Sequence, residues 1–115
     1  MAHSLLVEPM SFTTPLKSAE LKQLRAIAHK LNPVVTVAGN GLSEGVIAEL
    51  NRALDDHELI KIKVSVGDRD IRDALIANLT EQVDAALVQR IGNTATLLKR
   101  NPSADPKKSN LKRPL

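Results

Sequence analysis

Lys22, Arg25 and His29 stand at i, i+3 and i+7, so on a helix they share one stripe, with Lys17 and Lys30 close by and only Glu20 opposing them. Such a stripe suits anionic oxygens, which cationic donors hold by charge-assisted hydrogen bonds. A charged helix face is commonly no more than solvated, and what argues for a role here is the one-sided sign. The next helical segment carries the reverse charge, Glu44, Glu49, Asp55 and Asp56 against Arg52. A fold that separates charge by element builds a field that steers an anionic partner to one side. Lys61 and Lys63 extend the cationic set, because they alternate with Ile60, Ile62 and Val64 and so occupy the outer face of a half-buried strand.

A second motif is Ala38-Gly39-Asn40-Gly41, between a short β-branched run and the start of a helix. Small residues let backbone approach a ligand, and the first N–H groups of a helix favour phosphate. The loop has neither the Lys-Ser/Thr of a Walker sequence nor the spacing of a dinucleotide fingerprint, and taken alone it is better explained as a tight turn needing positive φ. His3, His29 and His57 are scattered and predict no metal site; solvated or capping roles suit them better. Asp68, Asp70 and Asp73 interleave with Arg69 and Arg72, which reads as helix-dipole complementation and local pairing rather than an acid–base dyad. With no cysteine, thiol nucleophiles, disulfides and iron–sulfur centres are excluded. No catalytic constellation, cofactor site or metal site is expected, and the chain is read as a non-enzyme.

These residues must be positioned by regular elements. Thr14-Pro15 predicts the start of a helix running to about Leu31, with Leu21, Leu24, Ala28 and Leu31 as its buried stripe. Val34–Val37 predicts a strand. Ser43 predicts the cap of a second helix that buries Val46, Ile47, Leu50 and Leu54 and ends near His57. Leu59–Val66 alternates as a strand, and Gly67-Asp68 opens a third helix with Ile71, Leu75, Leu79 and Val83 inward. Ala86–Ile91 and Thr94–Leu98 flank Gly92-Asn93, a two-residue hairpin connection. The resulting class is α/β, an α+β sandwich of order α-β-α-β-α-β-β on a four-stranded mixed sheet.

The chain has 115 residues with 43% apolar content, enough for one domain with its own core. Its net charge of +3 is misleading. The segment from Arg100 onward carries +4, and residues 1–99 sum to −1. With three prolines and two leucines that segment predicts a disordered basic tail over 101–115, following a folded domain over 15–100 and a flexible extension over 1–14. No stretch reaches signal-peptide or membrane-span length, so a cytoplasmic protein without membrane association is expected, acting as a monomer. One Phe and no Tyr or Trp almost exclude recognition by stacking bases on aromatic rings.

Three segments, Ala28–Leu50 (AHKLNPVVTVAGNGLSEGVIAEL), Ala53–Val64 (ALDDHELIKIKV) and Ala86–Arg100 (ALVQRIGNTATLLKR), resemble the CRM domain, in particular its small bacterial YhbY-like members. The resemblance spans about Leu16–Arg100. It implies a fold akin to the C-terminal domain of bacterial translation initiation factor three. It also implies binding of structured RNA without catalysis, in association with precursors of the large ribosomal subunit; plant relatives assist group II intron splicing. The family's Gly-x-x-Gly loop, likened to that of KH domains, is held to meet the RNA backbone. Here the first glycine of that loop falls on Ala38 and an often basic position falls on Gly39, while Asn40 and Gly41 match. Where relatives often carry Tyr near the end of the last strand, this chain has Leu98. The expected surface is therefore Lys22, Arg25, His29, Lys30, Ala38, Gly39, Asn40, Gly41, Lys61 and Lys63, with ribosomal RNA as partner. The alternative is an interaction module that docks on a ribosomal protein or assembly factor through its acidic second helix.

Overall fold

The computed structural model describes residues 17–38 and 42–114. Its elements are α1 (Ser18–Ala28), β1 (Pro33–Ala38), α2 (Glu44–His57), β2 (Leu59–Ser65), α3 (Arg69–Val83), β3 (Ala86–Ile91) and β4 (Thr94–Leu98). The sheet order is β1-β2-β4-β3. β1 runs parallel to β2, and β4 is antiparallel to both β2 and β3. The fold is thus the expected mixed four-stranded sheet with three helices. The hairpin strand β4 slots between the two strands that α3 connects. Gly92 supplies the positive φ, 60°, that the two-residue turn needs at its first position.

The period-two alternation of β2 sets the layers. Ile60, Ile62 and Val64 point to one face, where Val35 and Val37 of β1 meet Leu50 and Leu54 of α2 and Ile76, Leu79 and Val83 of α3. Leu59 points to the other face, where it joins Leu98, Val88 and Leu24 of α1 in a smaller cluster. Each fully buried aliphatic side chain stabilises the fold by about 1.5–3 kcal/mol relative to exposure. The α2/α3 layer therefore holds most of the apolar stabilisation. α1 contributes only Leu24 and Ala28 as buried residues and covers the Leu59 end of the sheet. Ser43 caps α2 by accepting from the Val46 N–H at 3.2 Å, and Asp68 caps α3 by accepting from the Ile71 N–H at 3.0 Å.

Three expectations are corrected. α1 is shorter than the sequence suggests: its N-cap is Lys17, whose N–H donates to Glu20 at 3.3 Å, and it stops at Ala28. Thr14 and Pro15 lie outside the described residues. Ile71 is not inward but 58% exposed, and Ile76 takes a place in the core. Each i+4 step overshoots a helical turn by about 40°, so the row 83–79–75–71 has drifted about 120° by its last member.

The third correction concerns the C-terminal segment, expected to be disordered. Residues 101–114 form a run of turns folded back on the α2–β2 junction, with Ala104, Ser109 and Asn110 buried. The prolines make this possible. Pro102 and Pro106 occupy the second position of turns closed by Ala104 N–H to Asn101 C=O (3.0 Å) and Lys108 N–H to Asp105 C=O (2.9 Å). The side chains of Asn101 and Asp105 accept from the N–H two residues on, at 3.1 and 2.9 Å. What the segment binds is the polar end of a helix, whose last four carbonyls lack intrahelical partners. Asn101 donates to Asp55 C=O (2.9 Å), and the Asn110 backbone N–H donates to His57 C=O (2.9 Å). The Asn110 side-chain amide donates to Leu59 C=O at 2.6 Å and accepts from Arg113 at 3.0 Å. Leu111 packs on the smaller cluster.

Asn110→Ala is expected to strip the buried Leu59 carbonyl of its side-chain donor and cost about 1–3 kcal/mol. Limited trypsinolysis should then release the segment at Lys107, Lys108 and Lys112 well before the rest of the chain. Unchanged cleavage kinetics would contradict the anchoring role.

Candidate functional site

The cationic residues singled out in the sequence fall on one side of the sheet. Among the described residues α1 covers the Leu59 end, Thr96 beyond it is still buried, and the face opens toward Lys63. Lys61 lies opposite Thr96, and Lys63 lies between Thr36 and Thr94. Lys63 is exposed and Lys61 half-buried. Two shallow recesses border this open face. One, about 390 Å³, is lined by His29, Leu31, Asn32 and Pro33 after α1, by Lys61, and by Gln89, Ile91, Thr94 and Thr96 of the hairpin. The other, also about 390 Å³, is lined by Lys30, Leu31, Asn32, Val34, His57, Ile60, Lys61, Lys107, Lys108, Asn110 and Arg113.

The structure thus brings His29, Lys30 and Lys61 around adjoining recesses that share Leu31, Asn32 and Lys61. Arg25 and Lys22 are exposed and lie one and two turns further back on the stripe that ends at His29. Ala38 is exposed at the end of β1, paired with Ser65. Gly39, Asn40 and Gly41 lie outside the described residues, so the loop contributes no geometry here. Lys107, Lys108 and Arg113 were not among the expected site residues. The local signal for them was the pair of Asn-Pro and Asp-Pro turns, which marks a segment with defined shape.

Charge is segregated by layer. Among the described residues, every Asp and Glu except Glu20, Asp105 and Glu58, the buried C-cap of α2, belongs to α2, to α3 or to the α3 caps Asp68 and Asp84, on the far side of the sheet. The three exceptions are each engaged. Glu20 pairs with Arg100 at 2.8 Å, Glu58 with Lys112 at 3.3 Å, and Asp105 accepts from the Lys107 N–H. His57 Nδ1–H donates to the Lys108 carbonyl at 2.9 Å, which fixes its tautomer and leaves Nε2 as the other polar atom of the ring. Among the described residues no group of His, Asp and Glu is placed to hold a metal ion, and no helix is long and apolar enough to cross a membrane. The arrangement can hold anions along a mostly polar strip.

Comparison with known proteins agrees with this architecture. Over residues 16–99 the chain matches the model of the CRS1/YhbY (CRM) domain. It is 48% identical over 98 residues to a "probable RNA-binding protein" of Pseudomonas aeruginosa, covering 85% of this chain and 94% of that protein. It is 44% identical over 94 residues to an "RNA-binding protein" of Haemophilus influenzae, covering 82% and 93%. The solution structure of a hypothetical Staphylococcus aureus protein, titled as a candidate RNA-binding protein, superposes with a TM-score of 0.68 at 26% identity, covering 79% of this chain and 95% of that one. With a mixed sheet, three helices and a family match across nearly all of the α1–β4 body, the chain belongs to the CRS1/YhbY (CRM) domain family.

Proposed function

We propose that this protein is a non-catalytic, cytoplasmic RNA-binding factor that engages ribosomal RNA in precursors of the large ribosomal subunit and assists their assembly. The observation that carries the reading is the segregation of charge across the sheet. Lys22, Arg25, His29, Lys30, Lys61 and Lys63 lie on the α1 side, and the acids of α2 and α3 lie on the other, where Arg90 pairs with Asp73 at 3.0 Å. A polyanion approaching the molecule is attracted by the first side and repelled by the second. The names of the Pseudomonas and Haemophilus relatives support RNA as that polyanion. Lacking aromatic platforms, the surface reads phosphate positions and 2′-hydroxyls rather than stacked bases. The Ala38–Gly41 sequence, with no lysine at residue 39, would contribute backbone rather than side-chain contacts to RNA.

Three outcomes are expected. Lys22→Glu combined with Arg25→Glu should weaken binding to a structured ribosomal RNA fragment by about tenfold or more in a filter-binding or anisotropy titration. Undiminished binding would favour docking on a protein partner through the exposed acids of α2. For about four neutralised phosphates, affinity should drop on the order of 50-fold between 50 and 200 mM salt; a flat salt titration contradicts the electrostatic account. In sucrose gradients of cell extract at low salt, the protein should sediment with precursor large subunits. Recovery only at the top of the gradient would remove the ribosomal assignment.

A further inference from the structure

The second recess holds cations from two parts of the chain. Lys30 and Lys61 come from the body of the domain, and Lys107, Lys108 and Arg113 come from the folded C-terminal segment. Among the described residues, no carboxylate lines it. Its lining also includes the apolar Leu31, Val34 and Ile60, and Val34 is 50% exposed. Converging cations without an acidic neighbour in the lining suit the phosphate oxygens of a nucleic-acid strand. The segment that supplies the far wall lies beyond residue 99, where the family match ends.

We infer that residues 101–114 are a built part of the RNA site: they close a cationic cleft, with Lys61 at its centre, that holds consecutive phosphates of a single RNA strand. This rests on the RNA-binding reading above and extends it. Placement of the cations is what separates a cleft from a loose polycationic tail. Lys108 is fixed through its carbonyl on His57. Arg113 is held through Nε on the Asn110 amide, which leaves its terminal nitrogens to bind oxygen. Lys112 is turned the other way: its Nζ lies 3.3 Å from buried Glu58 and 3.4 Å from the carbonyls of Asn101 and Ala104. The segment therefore divides its cations, spending Lys112 on its own anchorage and presenting Lys107, Lys108 and Arg113 to the cleft. A recess of about 390 Å³ has the size of a small-ligand site and admits a nucleotide rather than the width of a duplex. The neighbouring recess, reached across Lys61, continues the path toward Thr94 and Thr96.

The test uses the full chain and a ribosomal RNA fragment with single-stranded loops, titrated at two salt concentrations. Lys107→Glu with Lys108→Glu should cost at least about tenfold in affinity and flatten the salt dependence by about one to two phosphate equivalents. Arg52→Glu with Arg69→Glu, an equal charge change on the α2/α3 side, should cost less than about threefold. Asn110→Ala keeps every charge but releases the segment, and it should weaken binding nearly as much as the lysine pair, with the thermal midpoint followed in parallel to show that the body stays folded. Equal losses for the two charge-reversed pairs would reduce the effect to net charge and overturn the cleft. Full affinity in Asn110→Ala would mean that the segment acts as a loose tail, with the same consequence. A wild-type chain that binds no RNA would overturn the RNA reading itself, and capture of an acidic peptide by the same lysines instead would reassign the cleft to a protein partner.

Discussion

Strand β2 carries two incompatible surfaces back to back, and the remainder of the molecule is arranged around that conflict. Ile60, Ile62 and Val64 require complete removal from water, whereas Lys61 and Lys63, one residue out of phase, require access to it. Because strand side chains alternate with a period of two, no shift of register can satisfy one set without ruining the other. The apolar face takes two helices. The opposite face takes one short helix, placed only over Leu59, where β2 and β4 offer leucines instead of lysine and threonine. A longer or more central α1 would have to desolvate Lys61 and Lys63 without partners, which is far more costly than the leucine contacts it would gain. The open polar strip is therefore a consequence of where the core can be closed.

The same reasoning explains the C-terminal segment. α2 ends in a sharp reversal in which Glu58 adopts φ 62° and ψ −46°, a conformation that non-glycine residues seldom take. The reversal brings the chain directly from helix into the central strand, leaving the carbonyls of Asp55 and His57 without intrahelical donors. Residues 101–110 bind there with amides rather than with apolar bulk. Buried Glu58 is paired with Lys112 from the same segment, at 3.3 Å. Stabilisation by hydrogen bonds to a helix end leaves the segment's cations on the surface, beside those of α1 and β2, so the anchoring and the electrostatics are two results of one packing decision.

How much of this was legible in the sequence follows from the range of each interaction. The caps at Ser43 and Asp68, the Gly92-Asn93 turn and the alternation of β2 are decided by residues within a few positions of one another, and each stands where the pattern put it. Ile71 misled because its i+4 row looks inward until helical drift is taken into account. The order of the C-terminal segment was hidden because its partners, Asp55, His57 and Leu59, lie about fifty residues away and offer backbone atoms, which carry no sequence signal. Counting its few leucines measured a hydrophobic contribution the segment does not rely on. Among the site residues, Lys61 and Lys63 could be assigned to an outer face from alternation alone, while the meeting of Lys30 and Lys61 with Lys107 and Arg113 exists only in three dimensions.

On the proposed reading the α1 side of the sheet is the RNA face and the α2/α3 side repels RNA. The most direct measurement is amide chemical-shift mapping of the isotope-labelled full chain during titration with a structured ribosomal RNA fragment. Perturbations are expected to concentrate at residues 22–34, 61–63 and 107–113, with the exposed surfaces of α2 and α3 unmoved. Perturbations centred on α2 and α3, or spread evenly over both sides of the sheet, would contradict it.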